Sequence, residues 1–427
     1  MSLPGRARGL LLDISPLRLD HDYRLMWSGQ VVAGIGSQIT RLALPFQVWI
    51  LTQSTLAIAV LTAVQLVPIL IFVIGAGSIV DVVDKRRLLL ITQVGLAFCS
   101  LAFVGLALVP SPPLIAILIV AFLAATLGAF GQPASSSSTP RLVPAERLPA
   151  AIALNQLNFQ AASVIGPAVG GILIAVVGLP VAYGVDVLSF GASIFAIWRI
   201  APLPPIGGAM RPGLAAIREG FRFAMNRRVI LATFAIDLDA MIFGMPTSLF
   251  PVLALEVFRV GPAGLGLLAA APAIGAFVGA LLSGWVSVVR RVGRAVILAV
   301  IVWGLAITAF GLTTFFFPLA LVFLAIAGAA DVISAVFRST VVQLATPDAL
   351  RGRVTALHIL AVSSGPRIGD IEAAAVAAVV GAQASVVSGG ILCLIGAAVV
   401  VRLFPELRAH VVDVPATEDT AGETGPA

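Results

Sequence analysis

Twelve apolar runs of membrane-spanning length follow one another along this chain, at about 24–52, 56–80, 88–109, 114–138, 151–177, 180–199, 229–257, 262–287, 295–316, 318–342, 354–380 and 382–404. A spanning helix needs roughly 20 apolar residues, and Pro, Gly or charged residues separate each run from the next. The pattern predicts an all-α membrane protein of twelve transmembrane helices. Composition argues the same way: 59% apolar and 11% charged residues among 427 lie far outside the balance of a soluble domain.

The breaks alternate in charge. VVDKRR (82–87), RLVPAER (141–147), the 199–228 stretch, VRRVGR (289–294) and PDALRGR (347–353) carry bases, whereas LTQST (51–55), VPSPP (109–113), GLP (178–180) and TFFFP (314–318) carry none. Only the 257–261 turn, with Arg259, departs from this. The positive-inside rule then places the basic loops and both termini in the cytosol, which an even number of spans allows. The net charge of +6 is thus loop charge that sets topology, and no nucleic-acid partner is expected. Residues 1–23 read as a cytosolic lead-in without a cleavage site. Residues 24–199 form one six-span half, 200–228 a Pro-rich linker with a short amphipathic helix at the membrane surface, 229–404 the second half, and 405–427 a disordered cytosolic tail. PRLVPAERLPAAIAL (140–154) and VQLATPDALRGRVTAL (342–357) are weakly similar, which suggests a duplication with a substrate site near the midplane between the halves.

GSIVDVVDKRR, with Gly77, Asp81, Arg86 and Arg87, resembles the loop signature of the major facilitator superfamily, although Val82 stands where that family usually has Arg. IGPAVGG, with Gly166, Pro167, Gly170 and Gly171, resembles the antiporter signature of its proton-linked drug exporters. The order GQPASSSSTPRLVPAERL, AxALNQ, IGPAVGGILIA and VDVLSF is similar to the branch containing the enterobactin exporter and bacterial multidrug efflux proteins, from Tyr23 to Leu407. This resemblance implies two six-helix halves in a bacterial cytoplasmic membrane. It also implies a cytosolic gate at Asp81 supported by Arg86 and Arg87, for which plain topology is the competing reading. GPAVGG is read as a site where the fifth span bends and packs closely.

Ionisable residues within spans need a reason, since a charge at the bilayer centre costs about 2.5–3.5 kcal/mol even on insertion scales. Arg41 lies too deep to snorkel out; it either pairs structurally or acts in substrate or proton coupling. Asp237 and Asp239 are about 200° apart on a helix, so only one can face a given cavity; Asp239, nearer the midplane, is the candidate proton carrier unless an arginine holds it permanently. SSGPRIGDIEAAA carries Arg367, Asp370 and Glu372, with Arg367 and Asp370 on one face. Pro366 and Gly369 are expected to open the helix there onto a cavity, with a self-contained Arg367/Asp370 pair as the alternative. Asp331 and Asp186 are further partners for the arginines, and Arg338 shares the face of Asp331. Gln30, Gln38, Gln47 and Gln65 could bind a ligand or bond helices together.

The expected function is proton-driven export of a small amphipathic molecule, drug-like or siderophore, by a protein that works as a monomer. A lipid or metabolite transporter and a non-transporting sensor are the alternatives. No cofactor is expected. No G-x-x-x-x-G-K-[ST] loop is present for ATP, no His/Asp/Glu cluster suggests an enzyme or a metal site, and Cys99 and Cys393 stand alone in apolar runs.

Overall fold

The computed structural model describes residues 13–205, 214–284 and 289–409, excluding the side chains of 73–81, 214–218 and 348–349. The helices in order are α1 (Ser15–Leu19), α2 (His21–Thr52), α3 (Thr55–Val82), α4 (Lys85–Leu108), α5 (Leu114–Leu142), α6 (Leu148–Val177), α7 (Leu179–Arg199), α8 (Leu214–Asn226), α9 (Arg228–Phe243), α10 (Phe250–Val252), α11 (Gly261–Leu281), α12 (Val292–Leu312), α13 (Phe317–Ala345), α14 (Asp348–Val380), α15 (Ala382–Leu403) and α16 (Pro405–Ala409). With α9 and α10 counted as one interrupted span, α2–α7 and α9–α15 make twelve crossings. Among the described residues, ten segments are long and apolar enough to cross a membrane. The other two, α2 and α14, have the length, 32 and 33 residues, and are the helices that carry Arg41 and the Arg367, Asp370 and Glu372 group.

Local chemistry sets the boundaries. Ser54 accepts the Ala57 N–H to start α3, and Asp84 caps α4 through the Arg87 N–H at 2.9 Å. Gly178 and Gly381, at φ +86° and +88°, each turn the chain within one residue between α6 and α7 and between α14 and α15. A side chain at either would be strained, and their matching positions are a trace of the duplication. Two boundaries differ from the sequence reading. Helix begins at His21, inside the expected lead-in, after the short α1. The first residues of the expected disordered tail form α16, because Leu407 is fully buried and Glu406 pairs with Arg228 at 3.0 Å; residues 410–427 lie outside the described chain. In the linker, α8 exposes Phe221 and Met225, buries Ala224, and is tied to α14 through Glu219 and Arg353.

In the first half, α2 packs on α6 and α7, α3 on α5, and α4 on α5 and α7; in the second, α12 packs on α13 and α15, α11 on α13, and α9 on α14 and α15. The halves meet along α6–α11 and α3–α14, and α2 reaches the second half through α10. Neither α5 nor α13 packs comparably across that seam. Large apolar side chains such as Phe98, Leu188, Leu298 and Val379 remain exposed on the outside, the surface that lipid covers.

The motif GPAVGG is divided between two seams. A Cβ on Gly166 would meet Gln38 and the Ile35 carbonyl of α2, and one on Gly170 would lie 3.3 Å from Ile39. A Cβ on Gly171 would lie 2.8 Å from the Gly266 Cα of α11, and one on Gly266 would lie 2.5 Å from the Pro167 carbonyl. Small residues therefore let the backbones of the two halves touch, the usual device where apolar burial gives no drive to associate.

The seventh span breaks, contrary to its uninterrupted apolar run. Gly244, Met245 and Pro246 end α9, and Pro246 cannot supply the next helical N–H. The freed Gly244 carbonyl accepts the Trp303 indole N–H at 2.8 Å. A 3₁₀ turn (Thr247–Leu249), α10 and a π-helical turn (Leu253–Val257) complete the crossing. The break expected in α14 is absent: α14 runs continuously through Pro366. Gly369 serves packing instead, since its Cβ would meet the Met241 and Ile242 backbone of α9.

Substituting Gly266→Leu forces this backbone contact apart and is expected to destabilise the detergent-solubilised protein by about 1–3 kcal/mol. Gly184→Ala, which meets nothing within 4 Å, leaves thermal unfolding unchanged; equal unfolding midpoints for both variants would show that the seam is loose.

Candidate functional site

Arg41 of α2, Gln65 of α3, and Arg367 and Asp370 of α14 converge where the halves meet. By the helical rise, each lies about 15–20 Å from the end of its helix opposite the termini. Asp370 is the best-held of the four. Thr247 Oγ1 donates to its two oxygens at 2.7 and 2.9 Å, the Ser248 N–H donates to Oδ1 at 2.7 Å, and the Ser248 hydroxyl donates to the Asp370 carbonyl at 2.9 Å. The carboxylate thus satisfies backbone and hydroxyl donors left over by the break in the seventh span. Arg367 donates to Gln65 Oε1 at 3.5 Å, the long limit of a hydrogen bond. Arg41 and Arg367 lie within electrostatic reach of each other and of Asp370. Among the described residues no ion pair closes between Arg367 and Asp370, so the self-contained pair is not formed.

A second cluster lies wholly in the second half. Arg338, fully buried, contacts Asp237 at 2.8 Å and Asp331 at 3.5 Å, and donates to Ser334 at 2.8 Å. Asp237 is 1% exposed and the Asp331 side chain 30%. Neither Asp237 oxygen receives a well-aligned hydrogen bond. Two carboxylates sharing one guanidinium carry a net charge of −1, which a single proton neutralises. His358, stacked on Phe234 at 5.6 Å, is within electrostatic reach of Arg338.

Asp239 is not part of either cluster. The rotation that sends Asp237 toward α13 sends Asp239 toward α15, where the missing side chain of Gly396 leaves room for its carboxylate beside Cys393. Its Oδ2 has no hydrogen-bond partner. Glu372 is part-exposed on α14 and has no bonded partner among the described residues.

Polar side chains of the first half are engaged in joining helices. Gln30 donates to Ser135 at 2.6 Å and Gln38 to Ser163 at 2.9 Å, while Gln47 accepts from Tyr183 at 2.7 Å. Asp186, expected from its sequence position to partner an arginine, instead accepts from Thr40, Ser100 and Ser189 at 2.6, 2.7 and 3.3 Å. Gly77 and Asp81 of the loop signature lie in the last turns of α3, on residues whose side chains are outside the described set. Arg86 donates to the carbonyls of Ile197, at 3.2 Å, and Trp198, closing the C-terminal end of α7 within its own half. Sequence reasoning missed Thr247, Ser248 and Trp303; the Gly-Met-Pro-Thr-Ser string inside an apolar run was the available signal.

A charged, polar-lined centre between two six-helix halves has the form of a transport pathway. The family model described as transmembrane secretion effector matches residues 13–418. The chain is 28% identical over 407 residues to the enterobactin exporter EntS of Shigella boydii serotype 18, covering 93% of this chain and 95% of that one. The same protein from Escherichia coli O1:K1 is 27% identical over the same coverage. Solved structures share the fold at low identity. A bacterial homologue of the iron transporter ferroportin in an inward-facing state has TM-score 0.71 and 13% identity, covering 92% of this chain and all of that one. A bacterial homologue of the lysosomal transporter Spinster has TM-score 0.71 and 15% identity, covering 95% of this chain and all of that one. The chain belongs to the transmembrane secretion effector family and is a multi-pass membrane transporter of the major facilitator type.

Proposed function

We propose that this protein exports a small amphipathic molecule, of drug or siderophore type, from the cytosol in exchange for protons. The observation that carries the reading is the separation of two unbalanced charge clusters: a positive one at the seam between the halves, and a negative one, Asp237/Arg338/Asp331, inside the second half. The first can meet cargo at a position that either side of the membrane could reach in turn. The second can hold one proton, with the part-exposed Asp331 as its entry. The name of the enterobactin exporters, 27–28% identical along nearly the whole chain, supports export of a siderophore-like compound. Packing of the halves through α6–α11, α3–α14 and α2–α10, with α5 and α13 uninvolved, supports rocking about this seam. Asp239, at the α9–α15 contact, is assigned a packing position, and Asp331 replaces it as the coupling carboxylate.

In proteoliposomes with an imposed pH gradient, cargo flux is expected to fall at least about tenfold in Asp331→Asn, the scale on which proton-transfer groups contribute, while binding in detergent persists. Wild-type flux that ignores the gradient would overturn the coupling, and binding without any flux would make the protein a sensor. Arg338→Ala strands the buried Asp237 and removes the partner of the part-exposed Asp331, and is expected to cost about 3–5 kcal/mol of stability; a thermal unfolding curve matching wild type would exclude the ion-pair cluster.

The same reading puts the termini in the cytosol of a bacterial cell. A membrane-impermeant maleimide added to intact cells should label Ser111→Cys and leave Arg290→Cys untouched, while the native Cys99 and Cys393 are buried. The reverse pattern would invert the topology.

A further inference from the structure

We propose that Arg41 and Arg367 form a binding site for an oxyanion of the cargo, a carboxylate or a group of like charge and shape, held between the two halves. The inference rests on the export reading for its biological setting but on local chemistry for its content.

Arg41 is the most exposed of the intramembrane charges, yet it sits about 16 Å from the end of α2, too far for its head to snorkel into bulk water. Its head lies within electrostatic reach of Asp370 and Arg367 of the other half. A guanidinium carries five N–H donors, and among the described residues none of those of Arg41 has a hydrogen-bond or ion-pair partner. Arg367 has only the long bond to Gln65. Asp370, the one carboxylate among the described residues within electrostatic reach of both, carries one charge against their two, and part of its accepting capacity is taken by Thr247 and the Ser248 backbone. Two like charges within each other's field and one committed counter-charge leave one positive charge unanswered.

What would complete the site is an anion with at least two acceptor oxygens. The planar fork of each guanidinium matches a carboxylate bidentately, and the two arginines, one from each half, lie within electrostatic reach of each other, so an anion between them would answer the excess charge. A cation would meet repulsion, and a neutral amide would leave the charge unbalanced. The expected cargo is thus an amphipathic acid rather than a cationic drug, and its binding removes repulsion at the seam.

The full-length protein in an uncharged detergent at low ionic strength tests this with three probes of one ring system: 2-naphthoate, 2-naphthamide and 2-naphthylmethylammonium. Calorimetric titration should show the carboxylate binding about tenfold or more tighter than the amide, the scale of one or two charge-assisted hydrogen bonds, and no competition from the ammonium. Arg41→Gln should bring the carboxylate down to the amide, and Arg41→Lys should retain part of the preference. Equal affinity of carboxylate and amide for the wild type overturns the proposal without any variant having to fold. So does a carboxylate preference that survives in both Arg41→Gln and Arg367→Gln. Because no gradient or membrane is involved, a carboxylate preference without vesicle flux would sink the export reading alone, and flux without that preference would sink only the anion site.

Discussion

A peptide group left unpaired in hydrocarbon costs several kcal/mol, and the seventh span creates several such groups at its centre by breaking at Gly244–Pro246. The structure answers the carbonyl side with the Trp303 indole and the amide side with Asp370. The second answer has the wider consequences. By bonding Thr247 and Ser248, Asp370 fixes α14 to the broken span, and with it the position of Arg367 one turn earlier on α14. It also commits much of the hydrogen-bonding capacity of the one carboxylate that, among the described residues, lies within electrostatic reach of both arginines. The bonding left open to the arginines therefore depends on a backbone repair in the second half.

Hydropathy located the spans to within several residues because ten of the twelve are apolar enough to cross on their own and α2 and α14 have the length. The side-chain pairings were not legible, because they depend on how helices rotate and lean against one another. Asp237 and Asp239 show where the boundary falls: their opposite facing followed from helical geometry, but that Asp237 would meet Arg338 while Asp239 faced Gly396 required knowing which helices flank α9. The helix break was assigned to α14 on the strength of Pro366 and Gly369. It occurs instead at Pro246, where the freed groups have partners. A proline at 366 is accommodated within the continuous helix, so composition alone does not decide between a kinked helix and a broken one.

Duplication explains part of this pattern and divergence the rest. Gly166 packs on α2 as Gly369 packs on α9, in the register that relates Gly178 to Gly381. In that register Gly36 corresponds to Asp239. A Cβ on Gly36 would meet Asp186 and Ser189 of α7, and Asp239 lies where a Cβ on Gly396 of α15 would be. Each half thus places a carboxylate against a glycine where its first helix packs on its sixth, but in this register Asp186 corresponds to Gly389 and Gly396 to Ser193, so the two contacts lie at different levels. In the first half three hydroxyls satisfy the carboxylate; in the second, Asp239 Oδ2 has none.

The same register sets Arg41 of the first half opposite Gly244 of the second. One half keeps its helix intact there and carries a cation; the other opens its backbone and bonds Asp370 through Thr247 and Ser248. The excess charge needs both arginines: beside one carboxylate they leave one positive charge, whereas a neutral residue at 41 would leave Arg367 facing Asp370 with no excess. The positive character of the seam is thus a joint product of both halves, one arginine coming from each, and it falls where the halves meet.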